Sequence, residues 1–267
     1  MQPSDLVRNT EAAARLGNAE AQYEFATMLR VGKLVNRDLV QSRAWYERSA
    51  SQGYPKAQND FASMLLNGMG GDKDGVTATV WYRRAAEAGC AMAQFALAQR
   101  YLHGDYVEVD DEQAVFWGTQ AAANGHARGN TLLGNCYRFG RGVEKNLLRA
   151  AQLYVIGARG ADVVGHGNLA NCREEIEELA LAGNDAAALI TATLYAEGLG
   201  GEKNRPLAKA WLGLLSDLGA VGLNSDELAA RRALDDQLDY TLDSDGRHVA
   251  EEKLQQLQRR FRACGSR

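Results

Sequence analysis

The chain has 267 residues, 46% of them hydrophobic and 24% charged, with 30 basic against 34 acidic side chains and a net charge of −4. This is the balance of an ordinary folded protein, it excludes a disordered chain, and with only 3 prolines long stretches are free to be helical. Lys and Arg are scattered with no recurring aromatic-basic surface, so no nucleic-acid partner is expected.

Residues 1–18 lack the apolar run of a secretory signal, and no stretch of the chain approaches a membrane span. Cytoplasmic residence without membrane insertion is expected, with 1–18 as an N-terminal capping helix. From Ala21 to Val31, Ala21, Phe25, Ala26 and Leu29 recur at helical spacing, and Gly32 stands where a left-handed C-terminal cap is needed. Asp38 with Gln41 three residues on is a capping-box start for a second helix that carries Trp45 and ends near Gly53. The unit is a helical hairpin.

That unit then repeats every 36 positions. Trp45, Trp81 and Trp117 keep the step, as do Gly32, Gly68, Gly104 and Gly140, the glycines Gly17, Gly53, Gly89 and Gly125, and the caps Asp38, Asp74, Asp110 and Asn146. Leu29, Leu65, Tyr101 and Tyr137 follow the small residues Ala26, Ala62, Ala98 and Gly134. A fixed period of this length marks a stacked array in which each unit touches only its neighbours. In such an array the tryptophan is expected to be buried between hairpins. The phase fails after Leu153 and returns at Gly198, Asn204, Trp211 and Gly219, which implies a shortened repeat between. The expected divisions are four hairpins over 19–160, a shortened degenerate repeat over 161–186, a fifth full repeat over 187–222 and a C-terminal helical cap over 223–267.

Ala57 to Gly89, with Trp81-Tyr82-Arg-Arg-Ala-Ala-Glu-Ala-Gly, and Ala93 to Gly125, with Tyr-Leu-His-Gly and Ala-Val-Phe-Trp, resemble the Sel-one-like repeat, a relative of the tetratricopeptide repeat. The resemblance covers about 19–220. It implies an all-α fold, a right-handed α/α superhelical solenoid whose first helices line a concave groove, used by family members as adaptors. Two residues depart from the pattern: Leu153 replaces tryptophan, and Gly118 replaces the tyrosine of Tyr46, Tyr82 and Tyr154. A glycine within a helix costs about 1 kcal/mol against alanine, and Gly118 reads as drift in a tolerant array.

At the C-terminus, Ser225 with Asp226 and Glu227 starts a helix running to about Tyr240. A last helix then places Ala250, Leu254, Leu257 and Phe261 on one stripe, expected to pack on the last repeat. The turn between them sets Asp243, Asp245, Gly246 and Glu252 at calcium-loop spacing, but Thr241 at the first position offers no carboxylate, so no metal is expected. The four histidines lie apart, Gly68-Met-Gly70-Gly71-Asp72-Lys has no preceding strand or following Ser/Thr, and no nucleophile with a base emerges. Cys90, Cys136, Cys172 and Cys264 read as thiols rather than a disulfide set. No catalytic residue and no cofactor is expected.

Function then rests on where the repeats differ. If Ala21, Phe25, Ala26 and Leu29 face inward, positions 20, 23, 24, 27 and 31 face out, and in repeats three and four these hold unusually apolar residues. Met92, Phe95, Gln99, His103, Arg128, Leu132, Asn135 and Phe139 are the candidate partner-binding set, with the phenylalanines and Leu132 as anchors. The reading is a monomeric, non-enzymatic adaptor that binds a protein or peptide in the groove. The alternatives are an immunity-type neutraliser of one toxin or effector, and a hydrolase of cell-wall-like ligands.

Overall fold

A computed structural model describes residues 3–264, and these hold fourteen α-helices and no strand. The chain divides into two compact units, Met1–Leu132 with Arg141–Val143, and Leu133–Gly140 with Glu144–Arg267. The first contains α1 (Pro3–Arg15), α2 (Ala19–Val31), α3 (Leu39–Ser51), α4 (Pro55–Asn67), α5 (Gly75–Glu87), α6 (Ala91–His103) and α7 (Asp111–Ala123). The unit boundary falls inside α8 (Ala127–Phe139). The second contains α9 (Leu147–Arg159), α10 (Val163–Leu181), α11 (Asp185–Glu197), α12 (Arg205–Asp217), α13 (Ser225–Thr241) and α14 (Ser244–Cys264).

The punctuating columns act as their chemistry requires. Gly32, Gly68, Gly104 and Gly198 hold φ between 66° and 77° and end the first helix of each hairpin, a left-handed conformation that a Cβ disfavours. Asp38, Asp74, Asp110, Asn146 and Asn204 accept from the backbone N–H three residues on. Their own N–H donates back to the carbonyl of Leu29, Leu65, Tyr101, Tyr137 or Tyr195, which ties the loop shut. This alters the capping box expected at Asp38: Gln41 reaches the Asp38 carboxylate instead of the N–H, which Leu29 O already holds. The complete box forms at Asn224 and Glu227, which start α13.

Burial corrects the expectation for the tryptophan column. Trp45, Trp81 and Trp117 are only partly buried, packing edge-on against Phe25, Phe61 and Phe116 respectively. The residue one place later is the deep one, since Tyr46 and Tyr154 are wholly buried and Tyr82 is nearly so. One residue turns a helix by about 100°, so the face directed at the preceding helix belongs to the tyrosine. Each hydroxyl meets a polar residue there. Tyr46 bonds Thr27 Oγ1 (2.8 Å) and accepts from Arg30 Nε (3.1 Å), and Tyr154 donates to Asn135 Oδ1 (2.7 Å). Only Trp211 is a fully buried tryptophan.

A column absent from the sequence reading joins successive hairpins. Gln22, Gln58 and Gln94 are buried, and each donates from Nε2 to a carbonyl near the end of the preceding helix, Ala14 O, Ala50 O or Ala86 O, at 3.0 to 3.3 Å. A second seam runs through the loops. A Cβ on Gly70 would lie 2.1 Å from Leu39 O, and one on Gly142 would lie 2.3 Å from Asp111 O. Between them, 36 positions from each, Tyr106 occupies the loop at φ 62° and the glycine has moved to the helix, where a Cβ on Gly75 would lie 2.2 Å from the Tyr106 ring.

In the second unit the segment where a shortened repeat was expected contains one 19-residue helix, α10. α10 packs on α9 on one side and on α11 on the other, burying Leu169, Cys172, Ile176 and Ala180. The stripe on α14 packs on α12 through Leu257, Leu254 and Phe261. Asp245, Gly246, His248 and Glu252 all lie within α14, and Asp243 Oδ1 accepts from Gly246 N at its start (2.8 Å), so these residues form a helix start and no calcium loop. The four cysteines are thiols, and burial pushes that of Cys172 up to about 11.

Candidate functional site

The predicted set separates on burial. Met92, His103, Arg128 and Phe139 are exposed, Gln99 and Asn135 are half-buried, and Phe95 and Leu132 are buried at 7% and 6% exposure. Phe95 and Leu132 therefore are not surface anchors. Phe95 stacks on His126 (centroids 4.6 Å apart), and the Arg128 guanidinium lies 4.8 Å above the ring, so what solvent meets there is Arg128. At Phe95 the face assumed to point outward is covered by His126, in the loop before α8. Asn135 lies in the second unit, holding Tyr154 and accepting from Asn168 Nδ2 (2.9 Å), and Phe139 is exposed in that unit beside Arg138.

The same phase in the first unit forms a recess. A cleft of about 550 Å³ opens between Tyr23, Tyr54, Pro55, Lys56, Asn59 and Asp60 on one side and the segment 88–92 on the other. Its cause is local. In the first repeat Tyr23 packs on Tyr54 (5.3 Å), and in the third Phe95 packs on His126, whereas the second repeat has Asn59 and Cys90 at those positions. An aromatic pair present in both neighbours is missing, and the space stays open.

The polar groups on the walls of this cleft are the Tyr23 and Tyr54 hydroxyls, Lys56, Asn59 and Asp60. Asp60 takes a hydrogen bond from Asn59 Nδ2 (2.9 Å) and forms no ion pair among the described residues. The hydroxyl of Tyr23 is pushed up to about 12, first by burial and then by the Asp60 charge. Gln58 Oε1 is buried without a partner. Its sister residues show why: Gln22 Oε1 accepts from Gln52 Nε2 (2.7 Å) and Gln94 Oε1 accepts from Asn124 Nδ2 (2.9 Å), but the corresponding residue here is Ala88, part of the cleft wall.

Of the sequence candidates, only Met92 lines this cleft. Tyr54 could have been found, because it stands at an N-cap, where Asn18, Asp162 and Asn184 bond the backbone and an aromatic cannot.

The family model of the Sel1 repeat matches residues 19–54, 55–90, 91–126, 127–162 and 186–219. The chain belongs to the Sel1 repeat family. Among solved structures, this Sel1-repeat chain is similar to a protective antigen of uropathogenic Escherichia coli strains that displays an SLR fold, at 27% identity and TM-score 0.60 over 96% of this chain and 56% of that one. It therefore spans little more than half the length of that relative. It is also similar to a Sel1 repeat protein from Oxalobacter formigenes, at 26% identity and TM-score 0.54 over 88% of this chain and 84% of that one. No curated protein matches it. The Sel1-repeat fold is in general a non-catalytic scaffold for protein interactions, and among the described residues no helix is long and apolar enough to cross a membrane.

Proposed function

We propose that this chain is a non-enzymatic interaction scaffold that captures a segment of a partner protein on the face formed by α2, α4 and α6. The observation that carries the reading is the cleft. It is an opening of about 550 Å³ with tyrosine, proline and methionine on its walls and few polar groups, the make-up of a recognition site. Met92 and Tyr54 supply apolar contact, and Lys56, Asn59 and Asp60 supply orientation. Of the remaining candidates, His103 and Arg128 extend the exposed polar rim of the same unit.

Affinity capture with the intact chain, with retained proteins identified by mass spectrometry, tests this. A specific partner should be lost with Tyr54→Ala combined with Met92→Asp, and kept with Val163→Asp, a substitution at an exposed position of the second unit. Equal retention by both variants removes the cleft as the partner surface.

A further inference from the structure

We propose that the cleft receives a basic side chain, an arginine in an extended segment of the partner, with its guanidinium over the Tyr23–Tyr54 ring pair and the Asp60 carboxylate as counter-ion. This rests on the capture reading above and names what is captured.

Two observations point to a cation with a planar face. Asp60 is a half-buried carboxylate at the wall that makes no ion pair among the described residues, the Arg30 guanidinium acting on it only through space. The adjacent surface is aromatic, with Tyr23 and Tyr54 tilted at 53° and 5.3 Å apart, and ring faces attract cations. A guanidinium matches both, since it has five donors, no acceptor and a planar face that stacks on rings. The molecule already uses that contact. Arg128 lies over Phe95, Arg100 over Tyr82 and Arg84 over Trp81, at 4.4 to 4.8 Å. An arginine from outside would restore in the second repeat what Arg128 and its ring provide in the third.

Lys56 is the one cation among the lining residues, and it does not compensate Asp60. It is exposed, one helical turn away, and makes no ion pair with it. A neutral or acidic side chain in the cleft would leave the Asp60 charge as it is, whereas a basic one neutralises it.

The test is to pan a phage-displayed dodecapeptide library on the immobilised full chain, then measure the selected peptides by calorimetry. The expected result is one enriched arginine per peptide, about tenfold or greater loss of affinity when that arginine is replaced by citrulline, and a similar loss with Asp60→Asn. The citrulline peptide should bind Asp60→Asn and the original chain alike. Asp60→Asn keeps the side-chain shape, and its thermal melt confirms folding. Peptides that bind without a basic position, or equally well as citrulline forms, overturn the cation assignment and leave peptide capture standing. If no peptide survives panning, capture on this face fails and the assignment fails with it.

Discussion

Tyr46 allows the repeat packing to be weighed residue by residue. Its ring has no exposed surface, and its hydroxyl bonds Thr27 and Arg30. Truncating such a ring in a packed interior costs about 3–5 kcal/mol, because the cavity closes only partly. Tyr46→Phe isolates the hydroxyl, and two hydrogen bonds to half-buried groups that can turn to water amount to about 1–2 kcal/mol. Trp45 is only partly buried, so Trp45→Ala should cost about 2 kcal/mol despite the larger side chain. Urea unfolding followed by far-ultraviolet circular dichroism measures all three, with slopes compared as well as midpoints because repeat arrays can unfold in steps. The order Ala at 46, then Ala at 45, then Phe at 46 is expected. A Trp45→Ala loss equal to or above that of Tyr46→Ala refutes the tyrosine as the buried column.

Phe95→Asp, which places a carboxylate between His126 and Arg128 in a buried site, should destabilise by about 2–4 kcal/mol, so a melting temperature within a degree or two of the original would show that Phe95 is a surface residue. Ala88→Gln should supply the donor that Gln58 Oε1 lacks and raise stability by about 1 kcal/mol, while narrowing the cleft; an unchanged urea midpoint would show that the orphaned acceptor has no energetic consequence. The hydroxyls of Tyr23, Tyr154 and Tyr195 are raised from an ordinary 10.0 to about 12 in the folded chain, mainly by burial. Because the folded value lies above the unfolded one, their contribution to stability is complete below pH 10 and is lost as the pH rises to 12. Ultraviolet titration of the phenolates should show a late-ionising class, and a single class near 10 contradicts this.

The repeat, its helix boundaries and its caps were legible in the sequence because each depends on a residue type that few others can replace. Gly32 must hold a positive φ, and Asp38 must offer an oxygen to Gln41 N. The inner face was less legible. Tyr46 and Trp45 are adjacent and both aromatic, and propensity does not say which one points at the preceding helix. Two of the candidate anchors, Phe95 and Leu132, are buried for a related reason. Phe95 looked exposed by helical phase alone, but His126, 31 residues away, closes over it. The cleft beside Met92 lies where side chains are missing, at Asn59, Ala88 and Cys90, and a missing contact shows in a sequence only by comparison between repeats.

The exchange of glycine between loop and helix fixes where this gene could have been cut and rejoined. Excising 71–106 removes Gly75 and Tyr106 together and leaves Gly70 on Leu39 and Gly142 on Asp111, so each remaining seam still has its glycine. Excising 40–75, also 36 residues, sets Tyr106 over Leu39, with a side chain on both sides of an approach that has room for one. The first shortened chain should fold and the second should not, although both retain whole periods. Crossovers that duplicated or lost repeats in this lineage would have been filtered by that frame, and the array is modular only between certain residues.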